Sequence, residues 1–213
     1  MIKILSSRLW LIIFPIIIIV IVIYFVNSNG EKSDRLKQLN DSIAQLQNQN
    51  ASYVQCIFNN EICGGREFRT SENLKTIEGR VLESMDTLFS NTKLVLRYTE
   101  FGCSACIEDQ VQRLVKLAEK IGRDHVIIIT YYNLIRDLVA FQRINKINFP
   151  VFILPRKSII LPIEEIDVPY FFILNGSNRI FSFFQPTKAN PELTDKYFEI
   201  IQKRYFRQMR TQQ

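Results

Sequence analysis

Histidine is nearly absent from these 213 residues, with His125 alone, and there are only four cysteines. Four thiols are too few for a disulfide-dense scaffold. Zinc is disfavoured on similar grounds. Cys56 and Cys63 are spaced too widely for a zinc knuckle, and His125 heads an apolar run as a surface loop residue, so neither a metal nor any other cofactor is expected. The chain also lacks internal repeats, low-complexity segments and a basic patch. Its 27 Lys and Arg against 21 Asp and Glu give +6, spread along the chain, so nucleic acid is not an expected partner. The densest basic run, Lys203 to Arg210, reads as the solvated end of a helix.

What the chain does have begins with an uncharged apolar run, Leu9 to Val26, of 18 residues. At about 1.5 Å per residue such a run covers most of a bilayer core. Trp10 and Tyr24 lie near its ends, where amphipathic rings favour the headgroup level, and Pro15 is tolerable in a membrane helix. The expectation is a single-pass anchor at 9–26 behind a cytoplasmic tail of residues 1–8. A cleaved signal peptide is the rival reading, although its apolar stretch is usually only about 7 to 15 residues. Lys and Arg are nearly balanced across the run and do not orient it.

Residues 27–70 read as a stalk. Leu36, Leu39, Ile43, Leu46, Asn50 and Tyr53 alternate three and four apart, fewer than three heptads. This 36–53 seam suits either a homodimer or a lone helix packed on its own domain. The stalk ends in a loop holding Cys56 and Cys63, candidates for a structural disulfide, for a second dithiol, or for inert thiols.

Residues 71–213 read as one α/β domain. The spacing of Leu74, Ile77, Val81, Leu82, Met85, Leu88 and Phe89 predicts a helix over 71–89, with Gly79 as an interruption. Strands are predicted at Lys93–Thr99, His125–Thr130 and Phe149–Leu154, with a hairpin from Tyr170–Leu174 through "NGSN" to Arg179–Phe184. Amphipathic helices follow at Ile107–Ile121, Leu134–Ile144 and from "NPEL" onward, the last burying Leu193, Tyr197, Ile200, Ile201 and Tyr205.

The chemistry concentrates in "EFGCSACIEDQV", residues 100–111. Cys103 and Cys106 open a helix directly after a strand, where unpaired N–H groups and the dipole favour a thiolate. Cys103 is the expected nucleophile and Cys106 the resolving thiol; an idle structural pair and metal ligation are the weaker readings. Glu100, Glu108 and Asp109 flank the pair and would oppose ionisation if they faced it. Together "LVLRYT", this CxxC, and Val168-Pro169 heading "YFFIL" resemble the thioredoxin fold, over roughly residues 72–205. The resemblance is to the membrane-tethered TlpA-like thiol-disulfide oxidoreductases of bacterial envelopes. It implies a sheet flanked by helices and exchange with envelope protein thiols or disulfides. It also implies a cis proline at Pro169 against the dithiol, and partner docking on the Val168 backbone. The long interval from Cys106 to Pro169 resembles that family's central insertion. Gly102 stands where an aromatic is usual, and Arg97 where thioredoxins keep a buried acid. The implied location is the inner membrane, with the C-terminal domain periplasmic or extracellular. The alternative is a binding or tethering module whose dithiol is idle.

Overall fold

The computed structural model describes residues 2–82 and 88–206, without the side chains of 2–13, 27, 28 and 31. The chain divides into two compact units, Met1–Asn50 and Ala51–Gln213. Helix α1 (Ile2–Cys63) contributes to both. Within the first unit the apolar residues from Phe14 to Val26 are exposed, as are Leu36, Leu39, Ile43 and Leu46 of the heptad seam. Among the described residues no helix is long and apolar enough to cross a membrane. The side chains of the 1–8 tail and of the front of the 9–26 run lie outside those described.

The second unit is built on a six-stranded sheet ordered β1-β4-β3-β2-β5-β6. Its strands are β1 (Lys75–Thr76), β2 (Lys93–Thr99), β3 (Val126–Tyr131), β4 (Val151–Ile153), β5 (Tyr170–Leu174) and β6 (Ile180–Phe184). Helix α2 (Ser104–Ile121) links β2 to its parallel neighbour β3, and α3 (Ile135–Ile144) links β3 to β4. The antiparallel pair β5–β6 runs into α4 (Glu192–Tyr205). A βαβ unit thus lies beside a ββα unit, with β2 between β3 and β5 at the centre.

β2 and β3 read as nearly unbroken apolar runs because both of their faces are covered. Leu94, Leu96 and Tyr98 join the core made with Val111 and Leu114 of α2 and Phe198 and Ile201 of α4. Val95, Ile127 and Ile129 face a second core, with Phe68, Leu74, Phe89, Leu161 and Ile163 from the segments around the sheet. Arg97 is only 1% exposed. Its guanidinium donates to both carboxylate oxygens of Glu164 (2.9 and 3.0 Å) and to the carbonyls of Leu154 (3.2 Å) and Pro155 (3.0 Å). The Tyr170 hydroxyl donates to the same carboxylate at 2.6 Å. The residue standing in place of a buried acid therefore binds one, delivered by a short 3-10 turn at Pro162–Ile166.

Three expectations change. Residues 71–82 of the predicted 71–89 helix are not helical: Lys75 and Thr76 pair with Ile153 and Phe152 on the β4 edge, and Lys75 bridges Val81, while Leu88 is helical. Gly79 turns the chain at φ 83°, a left-handed conformation that breaks the helical spacing. Residues 83–87 lie outside the described set. On α4 the buried positions are Thr194, Tyr197, Phe198 and Ile201, while Ile200 is exposed, because Phe198 rather than Ile200 meets Phe171. Finally, Cys56 and Cys63 are both free and both inside α1. They lie seven positions apart in the helix, about 10 Å along the axis, beyond the reach of one disulfide. In this structure the expected structural bond between them is therefore not made.

Candidate active site

β2 ends at Thr99, and a tight loop delivers the chain to α2, with the Gly102 N–H donating to the Thr99 carbonyl at 3.1 Å. Cys103 is the N-cap of α2, with extended φ −65° and ψ 108°. Its carbonyl accepts the first intrahelical bond, from the Ile107 N–H at 3.0 Å. The Cys103 sulfur is exposed over the open end of the helix, while Cys106, one turn along, is half-buried. This is the placement that favours a thiolate on the first sulfur.

The two thiols are driven apart. Hydrogen bonds from Cys106 and from Lys188 hold Cys103 down at about 7, whereas Cys106 is raised, by burial first and by the Cys103 sulfur second. Two of the three flanking acids are engaged elsewhere. Glu100 accepts the backbone N–H of Asn133 at 2.7 Å, and Asp109 accepts from Arg113 at 3.0 and 3.1 Å. Glu108 faces the separate hollow lined by Tyr132 and Asp137.

Beside the dithiol lies a cleft of about 310 Å³, walled by Cys103, Cys106, Val168, Pro169, Thr187 and Lys188. The predicted docking residues Val168 and Pro169 thus meet the predicted thiols. The Val168–Pro169 bond is trans, like every peptide bond among the described residues, against the expected cis form. The turn into β5 is made one residue earlier, at Asp167, which takes the left-handed φ 37°, ψ 41°. Two groups hold it there: Arg156 pairs with its carboxylate, with Nε at 3.0 Å, and the Thr99 hydroxyl donates to it at 3.0 Å. Arg156 above all keeps the Asp167 carboxyl below its usual range. The same guanidinium lies 4.4 Å over the Phe101 ring, which stacks on Tyr131.

This arrangement explains Gly102. A Cβ at that position would come within 2.8 Å of the Asp167 carbonyl oxygen, so no side chain fits between the cysteine loop and the turn ahead of Val168. The aromatic missing from position 102 is displaced to Phe101 on the outer side.

Lys188 was not legible as a site residue. It sits between Pro186 and Pro191 in the loop after β6, and only the fold brings that loop over α2. The Arg156 and Asp167 pair was missed for the same reason. His125 takes no part: its Nδ1 lies 2.9 Å from the Thr92 carbonyl at the opposite end of β2. Cys56 and Cys63, both raised by burial, are likewise remote in role, the first against the Gln185 backbone and the second inside the core. Among the described residues no group of His, Cys, Asp and Glu side chains is placed to hold a metal.

No protein-family model and no curated protein matches the chain. In shape it is similar to the thioredoxin domain of a thiol-disulfide oxidoreductase from Bacteroides vulgatus, at 9% identity over 63% of this chain and 97% of that one, with a TM-score of 0.47. A secreted disulfide oxidoreductase of Mycobacterium tuberculosis shares 12% identity over 61% and 95%, with a TM-score of 0.45. StoA from Bacillus subtilis shares 18% over 59% and 94%, with a TM-score of 0.41. The thioredoxin-like arrangement of sheet and helices rests on the chain's own βαβ and ββα connections around β2.

Proposed function

We propose that this protein carries out thiol-disulfide exchange on proteins of the cell envelope, in the manner of TlpA-like oxidoreductases, with Cys103 as nucleophile and Cys106 as resolving thiol. The observation that carries the reading is the exposed Cys103 at the N-cap of α2, opening with Cys106 onto a cleft walled by Val168 and Pro169. The Cys103 thiolate attacks one sulfur of a partner disulfide. A Cys103–partner bond forms, the partner's own S–S bond breaks, and the departing sulfur takes up a proton. Cys106, losing its proton, then attacks Cys103 and expels the second partner sulfur, which is protonated in turn. The partner gains two electrons and two protons. The electrons come from Cys103 and Cys106, which become a disulfide; one proton comes from Cys106 and the other from solvent, to which Cys103 had released its own on ionising. The reverse sequence oxidises a partner dithiol. Val168 and Pro169 present backbone to the partner segment.

The same reading retains 9–26 as a single-pass inner-membrane anchor and puts the second unit on the periplasmic or outer face, where exchanging dithiols persist. The bare face of Leu36, Leu39, Ile43 and Leu46 favours pairing of two copies through the 36–53 seam. A tethering module with an idle dithiol would use that same face.

The deciding experiment is trapping. In cells, full-length Cys106→Ser is expected to accumulate mixed disulfides through Cys103, and Cys103→Ser none. If Cys106→Ser traps no partner, and the wild-type pair forms no reversible disulfide across a redox-buffer titration, the exchange reading fails and the tethering module stands.

A further inference from the structure

Lys188 is the charged group of the cleft that has no carboxylate. Asp109 and Arg113 pair with each other, Arg113 also binds Asp195 at 2.6 Å, and Asp167 is taken by Arg156 and Thr99. Among the described residues no carboxylate lies within ion-pair distance of the Lys188 ammonium; Lys188 lines the same cleft as Cys103 and Cys106, close enough that their sulfurs raise its pKa. A lysine free in solvent has no reason to hold one rotamer, so what holds its loop matters.

The loop is held by the end of α1. The Asn59 amide donates to the Gln185 side chain, Ser52 and Thr187 hydroxyls meet at 3.4 Å, and Cys56 lies against the Gln185 backbone. Within the loop, the Ala189 N–H donates to the Thr187 hydroxyl at 3.2 Å and the Asn190 N–H to the Thr187 carbonyl at 3.4 Å. Asn59 is 2% exposed, so its bond to Gln185 is shielded from water. The last turns of α1 are thereby a brace for residues 185–190, and Lys188 projects from the braced segment over the dithiol.

We propose that Lys188 belongs to the exchange machinery, its ammonium offsetting negative charge on the Cys103 sulfur, and that Asn59 on α1 is the positioning residue that holds its loop in place. The inference rests on the exchange reading above and deepens it. Lys188 supplies what the helix end alone does not: a full charge that follows the thiolate as Cys103 becomes leaving group or nucleophile. The stalk helix thereby becomes part of the site rather than a spacer.

The test measures alkylation of Cys103 by iodoacetamide against pH in the reduced full-length protein, with the labelled peptide assigned by mass spectrometry. Wild type should reach half its plateau rate near pH 7. Lys188→Met should move the midpoint upward, so that at pH 6 Cys103 reacts about three- to tenfold more slowly, since one unit is tenfold. Lys188→Arg should restore most of the rate, which a merely structural role would not require. Asn59→Ala should shift the midpoint in the same direction by less. A Lys188→Met profile that overlays wild type overturns the role of Lys188, and an unmoved Asn59→Ala profile overturns the brace. Trapping by Cys106→Ser reports separately on exchange. Trapped partners with an unmoved Lys188→Met profile sink this inference alone; a shifted profile with neither a trapped partner nor a reversible disulfide sinks the exchange reading and leaves Lys188 only as the group that acidifies Cys103.

Discussion

Gly102 shows how a residue that looks like a defect in a motif becomes a requirement once the chain is folded. The strand, the CxxC and the following helix stripe were legible because each obeys a local rule: alternation, helix-start chemistry, and 3.6-residue spacing. The reason for glycine was not, since the carbonyl that excludes a side chain belongs to Asp167, 65 positions downstream. Gly102→Ala should force the cysteine loop and the 167–169 turn apart. Overpacking of this kind costs about 1–3 kcal/mol. The expected result is a lowered urea midpoint together with a slower Cys103 exchange rate in stopped-flow. A fall in stability with unaltered exchange would mean that the turn moves without taking Val168 and Pro169 with it.

At the scale of elements, the sequence resolves best where one segment's pattern determines its own structure and worst where a neighbour decides. The β5–β6 hairpin and α3 came through because turn chemistry and amphipathic spacing are internal to them. The 71–82 segment carries apolar residues at helical spacing, yet the open edge of β4 offers ladder bonds to Lys75 and Thr76, and Gly79 permits the reversal. Arg97 is the sharper case. Its position in β2 signalled burial, but its partner Glu164 comes from the connection between β4 and β5, so the sequence alone shows an unexplained cation. The pair fastens that connection to the central strand. Arg97→Met should therefore leave Glu164 buried without its partner, at a cost of about 3–5 kcal/mol, because stranding one member of a buried pair is worse than replacing both. Arg97→Met with Glu164→Met should recover much of that loss. A urea-unfolding cycle over the two singles and the double reads the coupling, and simple additivity would mean that the Tyr170 hydroxyl and the loop carbonyls, not the ion pair, hold the connection.

At the scale of the whole molecule, the second unit buries most of its apolar residues, in two cores on the two faces of the sheet. The first unit does not. From Phe14 to Val26 its apolar side chains are exposed, and a contiguous patch of that size is untenable in water without a cover. Lipid covers a single helix without requiring any partner surface, whereas pairing through Leu36 to Leu46 covers only one stripe. The anchor proposed for 9–26 therefore predicts that the full-length protein stays with membranes through alkaline carbonate extraction. Ile18→Lys with Ile21→Lys should release it, since a lysine near the centre of a membrane helix costs roughly 2.5–3.5 kcal/mol by insertion scales. Ile43→Glu, beyond the anchor, should leave extraction unchanged and abolish crosslinking between copies if the 36–53 seam pairs them. Release of the wild-type chain by carbonate would remove the anchor. A protein that crosslinks equally well with Glu at position 43 would confine the role of the stalk to bracing the loop of Lys188.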